Sequence, residues 1–282
     1  MKLKNECLVC IVRGSLDAAK LATDDTGLQQ QVVRRVMAEL AGIDPETPPP
    51  LMARFIHQTV EELTGVKDPF KAVKDEYNDF ALSLYPDLAE QVRHSDFQTA
   101  VRLTIAGNII DFGAHHTVGR QTVLESIDQS LVMPVQGDIG RFQRACERAD
   151  KILWLADNTG EIVFDKLLLS KLDPEKITYA VRGGPTQNDA TMADAEYIGM
   201  TKLVKTIDTG AAIPGVILEY CSDTFRRAYD DADLIIAKGQ GNYETLDVTD
   251  PRIFFLFKAK CPMVAEHAGV ALHDIVVKRG GR

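Results

Sequence analysis

The chain has 282 residues, 45% of them apolar and 26% charged, an ordinary balance for a soluble globular protein with room for two domains or one large one. Its 32 basic and 41 acidic residues leave a formal charge of −9. No arginine-rich or lysine-rich run interrupts that excess, which argues against a nucleic-acid partner but leaves room for a local pocket that takes a small anion. The apolar run from Leu8 to Val12 is too short for a signal-peptide core, and no later run reaches membrane-spanning length, so a cytoplasmic protein without a membrane partner is expected.

Helical signals dominate residues 1–148. Cys7 and Cys10 form a CxxC at the start of a helix that runs through Val12, Leu16, Ala19 and Leu21. With Cys146, Cys221 and Cys261 they make an odd, scattered set, which argues against a disulfide framework. The CxxC reads as packing thiols; if the pair binds metal instead, Cys261 is the candidate third ligand. Val32, Val33, Val36, Met37 and Leu40 continue the helical spacing after Thr26, and Pro48, Pro49 and Pro50 break it. A further helix begins at Asp68 and Pro69 and is punctuated at Pro86, and helical spacing returns from Phe97 to Ile110. Asn108 and Asp111 lie among small and apolar residues, three apart and so on one helical face, where they could meet a site or simply end a helix at Gly113. The adjacent His115 and His116 point to different faces and read as solvent-exposed.

After Asp150 strands and helices alternate. Strands are expected at 152–156, 177–181, 201–207, 234–237, 263–265 and 275–277, with Phe254 to Phe257 on an apolar helix face leading into the fifth. This order implies a mostly parallel sheet with helices on both faces, hence an α/β fold with a helical part at 1–148 and an α/β part at 149–282. No GxGxxG follows the first strand, so a dinucleotide cofactor is disfavoured.

Three strand ends carry the chemistry. The first delivers Asp157, Asn158, Thr159, Gly160 and Glu161: hard oxygen donors suited to Mg²⁺ or Mn²⁺, then a helix start whose amides favour an anion, or else only a capped turn. The second delivers Arg182, Gly183, Gly184, Pro185, Thr186, Gln187, Asn188 and Asp189, with Asp194 further on. The fourth delivers Lys238, Gly239, Gln240, Gly241 and Asn242, where an ammonium and flexible glycines suit a phosphate without forming a P-loop. In a parallel sheet these loops share one edge, the edge where such folds bind ligands.

Taken together, AGNIIDFG at 106–113, ADNTGE at 156–161, RGGPTQND at 182–189, IDTG at 207–210, KGQGNYE at 238–244 and KAKCP at 258–262 resemble the damage-control phosphatase family, formerly a domain of unknown function, and the early CxxC resembles its compact prokaryotic branch. The resemblance implies a helical part packed on a Rossmann-like α/β/α part and a divalent metal ion (Mg, Mn, Co or Ni) at the sheet edge. It also implies hydrolysis of small phosphorylated metabolites. The family's metal pattern falls on Asp157, Asn158 and Asp189, with Asp194 as the alternative for the last. On this reading Asp157, Asn158 and Lys238 are catalytic through a metal-activated water, and Asn108, Asp111, Thr159, Gly160, Glu161, Arg182, Asn188, Gly239 and Asn242 surround the substrate. The rivals are S-adenosylmethionine-dependent carboxyl methyl transfer and non-catalytic binding of a phosphometabolite. The motifs do not specify substrate or oligomeric state.

Overall fold

The computed structural model describes residues 1–107, 120–246 and 248–281. Three helices, α1 (Asn5–Ala22), α2 (Thr26–Leu40) and α3 (Pro49–Thr64), pack on one another through Ile11, Ala18, Val32, Val36, Ile56 and Val60, a satellite core of their own. Asp25 caps α2 through the amides of Gly27 and Leu28, Pro49 and Pro50 open α3, and Gly65 ends it in the left-handed conformation. This is the proline-in, glycine-out pattern of a well-terminated helix.

Helices α4 (Lys71–Arg93), α5 (Phe97–Ala106) and α6 (Arg120–Val132) follow, and α4 continues through Pro86 rather than breaking there. Strand β1 (Val135–Gly137) and α7 (Ile139–Arg148) precede the alternating half: β2 (Ile152–Leu155), α8 (Glu161–Leu169), β3 (Ile177–Val181), α9 (Met192–Tyr197), β4 (Lys205–Asp208), α10 (Asp223–Asp231), β5 (Leu234–Lys238), α11 (Gly239–Thr245), β6 (Ile253–Lys258), α12 (Pro262–Ala268) and β7 (Ile275–Arg279). The seven strands form one sheet in the order β1-β7-β6-β5-β2-β3-β4, parallel except for the β6–β7 pair. The mixed α/β fold with a mostly parallel sheet is the one expected. No described helix is long and apolar enough to cross a membrane.

Side chains of β2 alternate between two cores. Ile152 and Trp154 face the layer built from α4 to α9, whereas Leu153 and Leu155 face the layer built from α10 to α12. Period-two alternation with both faces buried is why this strand reads as an unbroken apolar run. The same logic corrects the fifth strand. Ile253 to Phe257 are all buried between β5 and β7 and form β6, whereas Met263 to Ala265 lie in α12. Pro262 at the first turn of α12 and Gly269 in the left-handed conformation beyond it were the local signs of that helix. The third strand is shorter than expected, with a 3-10 turn at Met200–Lys202 before β4, and β1, from the stretch read as helical, joins the sheet beside β7.

From β2 the chain builds outward to β3 and β4, then returns to the other side of β2 with β5 and continues to β6. The carboxyl ends of β2 and β5 therefore flank the point where the strand order reverses, the crevice where open parallel sheets take ligands.

Candidate active site

Asp157 and Asn158 leave the carboxyl end of β2 and are zipped to the 186–191 loop. Ala190 N donates to Asp157 O at 2.8 Å, and Thr159 donates from both N and Oγ1 to Asn188 O, at 2.9 and 3.0 Å. This short antiparallel bridge, Asn158 opposite Asp189, brings the second carboxylate to the first. Asn158 Nδ2 donates to Asp157 Oδ2 at 2.8 Å and to Glu161 Oε2 at 3.5 Å, which leaves the amide oxygen without a protein partner among the described residues. Arg182 lies beneath both acids: Nε donates to Asp189 Oδ2 at 2.6 Å, and one terminal nitrogen, which makes no hydrogen bond, sits 3.5 Å from Asp157 Oδ1.

Gly239 closes the opposite side. Its backbone has φ +74°, and a Cβ there would sit 1.8 Å from Asp157 Oδ2, so only glycine lets β5 turn into α11 against this carboxylate. Gly160, at φ +73°, similarly passes close to the backbone of Tyr77.

Lys238 does not face the crevice. Its ammonium is fully buried and donates to Glu161 Oε1 at 2.5 Å, Asp165 Oδ1 at 2.6 Å and Thr104 O at 3.2 Å, which uses its three donors. Burial alone would lower its pKa, but Asp165 and Glu161 override that and hold the ammonium charged. Asp165 in turn accepts from Trp154 Nε1 and Tyr179 Oη.

Other expected substrate contacts are also occupied by the protein itself. Gly160 N donates to Asn78 Oδ1 at 2.9 Å, and the Thr159 amide is spent on Asn188. Asn242 is buried, donating to Ala156 O and Lys238 O and accepting from Arg182 Nη1. Glu161 is 1% exposed and ties Asn158 to Lys238. These residues set the frame rather than line the cavity. Asp194 is likewise committed, since it receives Thr191 N and Oγ1 in a capping box, along with Asn78 and Lys74. Asp189, not Asp194, stands with Asp157 on the cavity wall. Asn108 and Asp111, with His115 and His116, lie outside the described residues.

The cavity above the two acids measures about 360 Å³, within the usual range for small-molecule sites. Asp157, Asn158, Asn188 and Asp189 form part of its wall, with Ile11, Ala53 and Ile56 of the three-helix unit opposite. Lys260 supplies a cationic side chain on this wall, and its charge acts on Asp157. It lies just beyond β6 on the same sheet edge, a placement hidden from sequence while 254–257 read as helix. Glu244, pushed up to about 7 by burial, also lines the cavity. Cys7, Cys10 and Cys261 line it too, while Cys7 also packs against the three-helix core as a packing thiol does, and burial raises the pKa values of Cys7 and Cys10. Among the described residues no three Cys, His, Asp or Glu side chains are grouped to hold a metal.

His57 of α3 was not anticipated. Its Nε2 accepts from Gln187 N at 2.6 Å, so the neutral ring carries its proton on Nδ1, and burial lowers its pKa to about 4. Gln187 has φ +46°, unusual for a residue with a side chain, and this bond holds the strained turn that leads into Asp189.

A divalent cation suits this arrangement. Among the described residues, the buried carboxylates of Asp157, Asp189, Glu161 and Asp165 pair directly with two buried cations, Arg182 and Lys238, while Lys260 and Lys74 act on Asp157 and Asp189 from further off, so carboxylates outnumber their direct partners. Burial first, then repulsion from Asp189 and Glu161, raises the Asp157 pKa well above its ordinary value. Two carboxylates and a free amide oxygen are hard donors, and Mg²⁺-type ions ordinarily complete such partial sets with water and substrate oxygens.

Comparison with known proteins agrees with this frame. The damage-control phosphatase ARMT1-like domain matches residues 3–276. A damage-control phosphatase of Archaeoglobus fulgidus is 38% identical over 288 residues, covering 99% of each chain. One of Pyrococcus horikoshii is 35% identical over 286 residues, covering 99% of this chain and 98% of that one. The crystal structure of a DUF89 family protein from Pyrococcus horikoshii superposes with a TM-score of 0.88 at 34% identity, covering 99% of both chains. With near-complete coverage in sequence and in fold, the chain belongs to the damage-control phosphatase ARMT1-like family.

Proposed function

We propose that the protein hydrolyses phosphomonoesters of small metabolites, sugar phosphates or damaged cofactor phosphates, with a divalent cation (Mg, Mn, Co or Ni) held by Asp157, Asn158 and Asp189. The observation that carries this reading is the excess of buried carboxylates over their direct cationic partners at the foot of an open cavity, which a dication would offset. When bound, such a cation polarises the phosphoryl group and makes water a competent nucleophile near neutral pH. Arg182 holds the two carboxylates in register and offsets part of their repulsion. Lys260, rather than Lys238, offsets charge on the transferred phosphoryl group, since it is the lysine on the cavity wall. The apolar wall from α1 and α3 takes the organic part of the substrate and excludes water from it. Methyl transfer is not favoured, because it has no use for a paired, buried carboxylate site. A non-catalytic phosphometabolite sensor would use the same cavity without turnover.

The test is phosphate release from a panel of sugar, nucleotide and cofactor phosphates by chelator-treated protein, before and after each metal is restored. Release only with metal supports the proposal. Metal-independent release, or binding without release across the panel, contradicts it.

A further inference from the structure

At the opposite edge of the sheet, a second cavity of about 500 Å³ opens where β2, β5 and β6 begin and β7 ends. Arg141, Arg144, Arg148, Arg252 and Arg279 line it against a single carboxylate, Asp233. In a chain of net charge −9 this concentration of guanidiniums runs against the composition. It is invisible as a basic run because it is assembled from three elements. Arg141, Arg144 and Arg148 are spaced three and four apart on α7, so they share one face. Arg252 precedes β6, and Arg279 ends β7, where it pairs with Phe254 of β6.

Ordinary structural duties account for only part of the set. Arg252 is locked by Asp250 at 2.8 Å and by the carbonyls of Tyr229 and Ala232, so it forms a fixed wall. Arg148 complements the carboxyl end of α7, but Arg141 sits in the first turn, where the helix dipole opposes a cation. Arg144 reaches an acid only at 4.0 Å, and Arg141 and Arg148 have no side-chain partner among the described residues. Arg279 donates through Nε to Pro251 O, which directs its guanidinium without using the terminal nitrogens.

We propose that this groove binds a compact polyphosphate anion, a soluble metabolite with two or three linked phosphoryl groups. Several guanidiniums converging on a cavity of this size suit adjacent phosphoryl groups, which planar arginine forks grip in pairs. A long nucleic acid would also meet the flanking acids Glu147, Asp150, Asp230 and Asp231, whereas a compact anion inside the groove avoids them. The strands place this groove about 16 Å from Asp157, so its ligand does not compete for the phosphatase cavity.

Calorimetric titration of chelated, metal-free protein with inorganic tripolyphosphate at 0.15 M salt tests the proposal. One site per chain is expected, equal in wild type and Asp157→Asn. Affinity should fall about tenfold for each arginine removed in Arg144→Ala and Arg148→Ala. Thermal melting shows whether these variants remain folded, and Arg144→Lys/Arg148→Lys should retain only part of the affinity. Absence of binding, binding unaffected by the folded variants, or tighter arginine-dependent binding of a single-stranded oligonucleotide would overturn the proposal.

Discussion

Replacing Lys238 with methionine separates two readings of this residue. If the ammonium acts on a phosphoryl group, the variant loses turnover while keeping its stability. The structure instead places the ammonium in a closed cage of Glu161, Asp165 and Thr104 O, with both acids and the lysine fully buried. Methionine fills a similar volume but leaves two carboxylates facing each other without a cation. Breaking a buried pair from one side costs about 3–5 kcal/mol, which in a chain of this size lowers the melting temperature by roughly 10 °C. The loss should grow with pH. Burial already raises the folded-state pKa of Asp165, and without the lysine it rises further above its unfolded value, so folding is relatively favoured at low pH and loses stability as pH rises through it. Melting curves of wild type and Lys238→Met between pH 5 and pH 8 measure this directly. A variant with wild-type melting at pH 8 and no activity would refute the cage and return Lys238 to the substrate.

Three further outcomes follow from the same geometry. Gly239→Ala must place a methyl 1.8 Å from Asp157 Oδ2 at φ +74°, so metal-stimulated kcat should fall at least about tenfold, with about 1 kcal/mol or more of stability lost; unaltered kinetics would show that Asp157 does not need this approach. His57, with its pKa lowered from 6.5 to about 4, favours proton uptake by the unfolded chain, so about 3 kcal/mol of stability should disappear as pH falls from 6.5 to 4. His57→Gln should flatten that part of the acid limb, and an unchanged limb by chemical denaturation would remove the histidine from the account. Lys260→Met should raise KM or lower kcat for phosphomonoesters by about tenfold in protein that melting shows to be folded, and wild-type kinetics would place the phosphate elsewhere.

Much of the frame could be read from residues because parallel-sheet chemistry is local. The run Ile152 to Ala156 followed by Asp157 and Asn158 identifies both a buried strand and its functional end, and Asp189 emerges from the next strand by the same rule. What could not be read was the direction of each polar side chain. Lys238, Glu161 and Asn242 look like ligand contacts because they sit beside glycines at strand ends, yet burial turns them toward one another. Asn78 and His57 occupy the site from helices 82 and 130 residues earlier than the loops they fix, with no motif to announce them. The mistaken helix at 254–257 came from an apolar run whose two buried faces carry no alternation, and it concealed Lys260.

The most direct test is equilibrium binding of Mn²⁺, followed by electron paramagnetic resonance, to chelator-treated wild type and Asp157→Asn. The account predicts one displaceable Mn²⁺ per wild-type chain, bound more weakly as falling pH protonates Asp157, and loss of that site in a folded Asp157→Asn protein. Equal Mn²⁺ binding by the two proteins, or none by folded wild type at neutral pH, would contradict a metal centre built on Asp157, Asn158 and Asp189.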